Sequence, residues 1–404
     1  MTAQVSLNGT LSEQFPVNQG VKQGCVLAPS LFSIYLSAVL ELCPQHGGVY
    51  LRTRTDGKLY NASRLKAKTL TRTVCARELL YADDSAMVSH SETELQGMLD
   101  AFHSAAQSLG LTINTKKTEV MLQPPRYSDY ADPKLLLDGK LLQAVDNFTY
   151  LGSTVSSDNS LDKEVERRIS AATAAYGKLQ SKVWKRHGIR LATKCKVYRA
   201  VVLTCLLYSS ETYILYRRHI KRLQRTQMHQ LRHLLKIHWQ DHISNADVRR
   251  RAGMPSVEAL LTQNQLRWIG HVVRMEDTRL PKLVFYSELS EGSRNRGRPK
   301  LRLKDCVKRH LKACNVQVDS WEQTAKDRPR WKAVLKRCTS TIDDRLAEES
   351  AERSRKRALR NNNRFAPPAP TPPYSCRYCS RTCSHRIGLY AHERHCRSRP
   401  TPQE

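Results

Sequence analysis

The 404-residue chain has no apolar run long enough to span a membrane. The longest, Ala200 to Tyr208 with Thr204 inside it, is well short of the ~18 residues a span needs. Acidic residues are scarce too: 37 Asp and Glu stand against 67 Lys and Arg, a formal charge of +30 that sets the protein apart from an ordinary cytosolic enzyme. Such an excess points to a polyanionic partner, because Lys and Arg neutralise phosphates and release condensed counterions. The basic residues are spread along the chain rather than gathered beside an apolar anchor, which argues against a membrane surface. No charged and apolar leader pattern precedes the twelve cysteines, and Cys25, Cys43, Cys75, Cys195 and Cys205 stand singly among apolar or basic neighbours. They are expected to be reduced and packed, in a soluble intracellular protein of nucleus or cytoplasm. With 40% apolar residues, the chain has the material for two or three domains.

Two apolar arms, Leu79 to Tyr81 and Ala86 to Val88, flank an acidic pair, Asp83-Asp84. The pattern reads as a hairpin with the pair at its turn. Two solvated carboxylates on a surface turn would look like this. So would a site for Mg²⁺, a hard cation held by one or two carboxylates and a substrate's phosphates.

Residues 4 to 17 alternate around an Asn8-Gly9 turn signal and predict a hairpin, and Leu27 to Leu42 predicts a buried helix with Leu31, Ile34, Tyr35, Ala38 and Val39 on one face. Residues 44 to 73 are polar and basic, a loop or hairpin insertion that either faces solvent or touches a template. Ser91 with Glu94 makes a capping box for a helix whose stripe runs from Leu95 to Leu109, with Gly110 placed to end it. Asp138-Gly139 marks a further hairpin. From Leu161 the period becomes helical: Val165, Ile169, Ala172, Tyr176, Leu179 and Val183 repeat up to Gly188, and helices are expected over about 192 to 216 and 217 to 238. The last of these carries Arg217, Arg218, Lys221, Arg222, Arg225, Arg232 and Lys236. Asn245 to Ala252 and Ser256 to Val273, broken at Gly253-Met254-Pro255, have the outline of a helix-turn-helix. Residues 294 to 312 hold nine Lys or Arg against Asp305 alone, so this run is expected to bind nucleic acid non-specifically. Trp321 and Trp331 suit either base stacking or a small helical core.

Ala366 to Pro373 is proline-rich and reads as a semi-rigid linker. Beyond it, Cys376-x2-Cys379-x12-His392-x3-Cys396 has the spacing of a zinc finger of the two-cysteine, two-histidine type, with cysteine as the last ligand to Zn²⁺. Leu389 and Tyr374 occupy its core positions, while Cys383 and His395 are competing ligands. Registering the helix on Leu389 and His392 puts the base-reading positions on His385, Gly388 and Ala391, which predicts weak sequence readout. Arg377, Arg381, Arg386, Arg394 and Arg397 would supply phosphate attraction.

Tyr81-Ala82-Asp83-Asp84 between apolar strands resembles the catalytic hairpin of reverse transcriptases, and further segments match that family in order. Gly20-Val21-Lys22-Gln23-Gly24-Cys25 is similar to the palm segment under the incoming nucleotide. Leu111 to Glu119, with Lys116 and Lys117, resembles the lysine-bearing segment near the triphosphate, although two solvated lysines would read alike. Phe148-Thr149-Tyr150-Leu151-Gly152-Ser153 resembles the turn that grips the primer. Arg267-Trp268-Ile269-Gly270-His271 is similar to a block that follows the polymerase in LINE-type (non-LTR) retrotransposons of the RTE kind, a family that often ends in a zinc finger.

The resemblance implies an α+β fold. Residues 1–160 would form a partial polymerase palm, 161–240 an all-α thumb, 241–364 a basic helical region, 365–373 the linker and 374–397 a small ββα finger. It implies Asp83 and Asp84 as catalytic Mg²⁺ ligands, and Gln23, Gly24, Tyr81, Lys116, Lys117, Leu151 and Gly152 as substrate-binding residues. An RNA template with a DNA primer or target DNA would be the partners. The family's first catalytic aspartate lies upstream of the matched segments and nothing in residues 1 to 16 supplies it, so this chain alone is expected to be a catalytically incomplete RNA-directed DNA polymerase. The alternative is a non-enzymatic nucleic-acid-binding remnant.

Overall fold

The computed structural model describes residues 2–17, 20, 24–44, 47–124, 130–291, 299–365, 374–396 and 398, with the backbone alone for 361–365. Gln23, Arg397, the linker and the start of the basic run at 294–298 lie outside them. The chain is mixed α and β, and it divides into two units, Met1–Asp343 and Asp344–Glu404.

The first unit opens on short antiparallel strands, Ser6–Leu7 against Thr10–Leu11, turning at Asn8 and Gly9 with both φ positive. Helix α1 (Ala28–Glu41) follows. It departs from the sequence expectation of a buried helix. Val39 is buried against Ala105 and Ala106, while Leu31, Ile34 and Tyr35 are exposed, because α2 (Glu92–Ser108) covers only one edge of the apolar stripe. Helix α2 starts at Ser91, whose Oγ accepts the Glu94 N–H at 3.2 Å. The expected box is half made, since the Glu94 carboxylate accepts from the Ser89 hydroxyl at 2.7 Å. Leu99 of α2 packs with Val120, Leu135, Leu137 and Leu142 in a small core.

The basic insertion is a hairpin, Val49–Thr53 against Arg72–Ala76, extended to three strands by Glu288–Leu289 from far along the chain. Side chains reinforce that pairing. Thr53 Oγ1 donates to Leu283 O at 3.1 Å, Tyr60 Oη to Lys304 O at 3.1 Å, and buried Arg64 reaches Tyr286 O at 3.2 Å.

A helical assembly follows: α3 (Asp162–Lys178), α4 (Leu191–Val197), α5 (Leu203–Leu206), α6 (Arg217–Leu234), α7 (Asn245–Ala252), α8 (Val257–Arg274), α9 (Leu280–Tyr286), α10 (Leu303–Ala313), α11 (Trp321–Lys326) and α12 (Arg328–Phe365). Where one helix over 192 to 216 was expected, α4 and α5 are joined by a wide π-turn at Tyr198–Val202, and the chain leaves helix after Leu206. One core joins α3 to α8 through Val165, Tyr176, Trp184, Tyr198, Leu206, Leu231 and Val257. Helix α8 buries a broad face, Leu261, Thr262, Gln265, Leu266, Ile269, Val272 and Val273 among its residues, and leaves Arg267 and His271 exposed on the other. Trp321 and Trp331 are buried with ring centroids 6.1 Å apart, a core pair rather than a stacking platform for bases. No described helix is long and apolar enough to cross a membrane.

The second unit takes in the rest of α12 and a ββα element, strands Tyr374–Ser375 and Thr382–Cys383 followed by α13 (Arg386–Arg394).

Candidate catalytic hairpin and metal centre

Strands Glu78–Tyr81 and Asp84–Met87 pair antiparallel, with Tyr81 opposite Asp84 and Leu79 opposite Ala86. The hairpin expected from sequence is present, but the turn splits the acidic pair. Its two loop residues are Ala82 and Asp83, and Asp84 already belongs to the second strand. Ala82 adopts φ 52°, since a tight hairpin turn matching the strand twist needs a positive φ at its first loop residue. Both carboxylates are exposed. Because one sits on the loop and the other on the strand, the strict alternation that would send adjacent strand residues to opposite faces does not hold for them. Two such groups fit part of a Mg²⁺ site, whose remaining ligands are ordinarily waters and phosphate oxygens. Among the described residues, no third carboxylate, thiol or imidazole closes with them into a three-ligand group.

The expected primer-gripping turn abuts this hairpin. Strands Asn147–Tyr150 and Ser153–Ser156 are joined by Leu151 and Gly152, both at positive φ. Tyr150 Oη donates to Leu79 O at 2.8 Å, locking one hairpin to the other. Partial burial, then the Asp84 charge, pushes the Tyr150 phenol up from its ordinary value.

The turn is tied in its other direction to the helices, by residues that the sequence reading did not single out. Arg167 donates to Gly152 O at 3.1 Å and Tyr208 Oη to Leu151 O at 3.1 Å, while Arg168 also reaches Gly152 O. Glu164 accepts from Thr154 N at 2.8 Å and from Arg168 Nε at 2.6 Å, and the Tyr213 hydroxyl closes on the same carboxylate. The Arg168 guanidinium lies 4.4 Å from the centre of the Tyr208 ring. Burial by itself would raise the Glu164 carboxyl, but these donors together hold it below the usual range. A signal was available in the sequence: Glu164 and Arg168, four apart, sit beside apolar Val165 on α3.

The other expected substrate residues are scattered. Lys116 and Lys117 are exposed in a turn begun by Asn114, whose Oδ1 accepts the Lys116 N–H at 3.1 Å. No hydrogen bond or ion pair among the described residues ties them to Asp83 or Asp84. Gly24 turns at φ 87° in open space. Of the basic run, Arg302 and Lys304 are engaged with Glu288 at 2.8 and 3.1 Å, so those two charges are partly spent within the fold.

In the second unit, Cys376, Cys379, His392 and Cys396 each turn one ligand atom into a cluster with every atom within 4.8 Å of the others. Cys376 and Cys396 sulfurs are 3.9 Å apart, and Cys379 Sγ is 3.2 Å from His392 Nε2. Thiolates tetrahedrally disposed at 2.3 Å from Zn²⁺ would be about 3.8 Å apart, so the donor set fits that ion. The Tyr378 N–H points at Cys376 Sγ, 3.4 Å away, the kind of outer contact that supports a metal-bound thiolate. Cys383 and His395, the expected competitors, are not members of the cluster. Strands Tyr374–Ser375 and Thr382–Cys383 hold the first two ligands and α13 presents His392.

This geometry sits in a chain whose residues 1–155 match the family model of reverse transcriptases, RNA-dependent DNA polymerases. The hairpin and the primer-grip-like turn both fall inside that match. The chain is a relative of the reverse transcriptases of non-LTR, LINE-type mobile elements. It is 26% identical over 274 residues to a transposon-derived protein of Caenorhabditis elegans, covering 65% of this chain and 96% of that protein. It is also 25% identical over 263 residues to the RNA-directed DNA polymerase from mobile element jockey of Drosophila melanogaster, and 24% over 242 residues to that of Drosophila funebris. These matches cover 63% and 58% of this chain but only 26% and 24% of the polymerases, so the chain spans about a quarter of their length.

Proposed function

We propose that residues 1–160 form part of a polymerase palm, 161–240 the thumb and 241–364 a basic post-polymerase region of an RNA-directed DNA polymerase, followed by the linker and a zinc finger at 374–397. The observation that carries this reading is the Tyr150–Leu79 hydrogen bond, which couples the Asp83–Asp84 hairpin to the Leu151-Gly152 turn inside the segment matched by the family model. In the full site, Asp83 and Asp84 hold Mg²⁺, which supplies charge for the attacking 3′ oxygen and the departing pyrophosphate. The chain's own part is to fix those carboxylates on a tight turn and to carry the primer-gripping loop on α3. Lys116 and Lys117 serve as point charges toward the triphosphate, with Gly24, Tyr81 and Gln23 near the nucleotide. The exposed α6 residues Lys221 and Arg225 give the thumb a positive face for duplex phosphates.

Two carboxylates leave the two-metal clamp one ligand short, so we expect this chain on its own to bind primer–template without extending it. Primer extension on an RNA template with Mg²⁺ tests the reading, run beside an Asp83→Ala, Asp84→Ala variant with duplex binding followed across salt. The expected result is steeply salt-dependent binding by both proteins and extension by neither. Extension by the parent that the variant loses would support the polymerase and refute the incompleteness. Absence of duplex binding would refute the reading as a whole.

A further inference from the structure

We infer that the outward face of α13 is a platform for single-stranded nucleic acid, with Tyr390 stacking on a base and Arg386 and Arg394 holding the flanking phosphates. The inference rests on the nucleic-acid reading of this basic chain but not on its polymerase chemistry. Arg386, Tyr390 and Arg394 follow one another at four-residue intervals, so they form one line along the helix, with the outer two about 12 Å apart. His392 and Leu389 occupy the opposite side, toward the four-ligand cluster and the small core. Tyr390 is 60% exposed and Ile387, beside it, 84%. An aromatic ring and a branched aliphatic side chain presented to solvent on a helix of nine residues do nothing for the core they turn away from.

The charge around the ring selects an anion. Glu393 is the one carboxylate between residues 374 and 397, and it is taken up by Arg377, whose Nε lies 3.3 Å from its Oε1. Arg381, Arg386 and Arg394 remain exposed and face no acid of the finger's own. A base on Tyr390 with phosphates on the two arginines uses every group on the line, and stacking accepts any base because each has a π-face. Duplex reading fits worse: the positions that would reach base edges in a major groove are His385, Gly388 and Ala391, and the last two have no hydrogen-bonding side chain. A protein partner fits worse too, since two apolar side chains framed by arginines are far from the core of a stable interface.

The test uses the full chain loaded with zinc, exposed to a single-stranded RNA oligonucleotide carrying 5-iodouridine, or to the same strand annealed to its complement. After long-wavelength irradiation, adducts are mapped by peptide mass spectrometry. We expect an adduct on Tyr390 with the single strand, and a yield about fivefold lower or less with the duplex. Tyr390→Phe should retain the adduct at position 390 and Tyr390→Ala should lose it, with zinc content unchanged in both as the control for folding. Labelling elsewhere in the chain with Tyr390 untouched would overturn this proposal while leaving nucleic-acid binding intact, as would equal yields from single strand and duplex. No labelling anywhere, together with no binding, would overturn this inference and the reading beneath it.

Discussion

Gly270 on α8 is a position where one added carbon should be costly. A Cβ built there would lie 2.6 Å from Trp331 Cδ1 and 2.9 Å from Cε2, with the indole nitrogen closer still. The ring cannot swing aside, because Trp331 is buried and its Nε1–H donates to Leu266 O at 3.1 Å, one turn back on the same helix. Opposing the clash is the helix preference of alanine over glycine, about 1 kcal/mol in favour of the variant. Overpacking costs about 1–3 kcal/mol, and stranding the indole N–H adds about 1–3 kcal/mol. Gly270→Ala should therefore lose about 1–5 kcal/mol net, and a loss near the middle of that range lowers the urea midpoint by about 1 M if the slope is near 3 kcal/mol/M. Urea titration followed by tryptophan fluorescence measures it. A Trp331→Leu background should absorb most of the effect, since the two positions are in direct contact. A Gly270→Ala protein as stable as the parent, or more so by the helix-propensity increment, would refute the close packing of Gly270 on Trp331.

Further outcomes follow from the other sites. One equivalent of zinc per chain is expected by elemental analysis, falling to near zero in Cys379→Ser, because three ligands cannot complete the tetrahedron. Glu164→Gln leaves Arg168 buried without its charge partner and should cost about 3–5 kcal/mol, with faster amide exchange at Thr154, whose N–H the carboxylate now accepts. Because that carboxyl titrates below its ordinary 4.5, its contribution is intact at neutral pH and is lost as pH falls below that value. Among the described residues His310 Nδ1 is buried without a hydrogen-bond partner, and burial, followed by the Arg309 charge, pushes its pKa down to about 4. The unfolded chain takes up that proton first, so stability should decline from about pH 6.5 toward pH 4 by up to about 3 kcal/mol, a slope that His310→Gln should flatten.

Features set by neighbours in the chain were legible in the sequence. Asn8-Gly9 and Asp138-Gly139 turn as their residue types demand, Ser91 caps α2, and the cysteine and histidine spacing converges on one cluster. The placement of Asp83 and Asp84 was half legible. A hairpin follows from the two apolar arms, but which residues take the loop depends on register, and a shift by one moves Asp84 from turn to strand. Contacts between distant segments were not legible. The stripe of α1 predicts burial whether or not a partner exists, and α2 covers only its Val39 edge. Nothing local in residues 267 to 271 says that Gly270 is there for an indole more than sixty residues away.

The three-stranded sheet built from Val49–Thr53, Arg72–Ala76 and Glu288–Leu289 has a consequence for how this chain is made. Thr53 waits for a carbonyl 230 residues downstream, and at ribosomal speed that interval lasts on the order of 10–50 s. Through that time Val49–Thr53 emerges with one edge unpaired, and Arg64 without the Tyr286 carbonyl it will bond. A nascent chain halted before residue 280 therefore carries an open strand edge beside a cation awaiting its partner. The segment from Leu283 to Leu289 thus acts on the N-terminal region of its own unit as an intramolecular chaperone would, and its emergence, rather than completion of the early hairpins, is the moment at which this sheet closes.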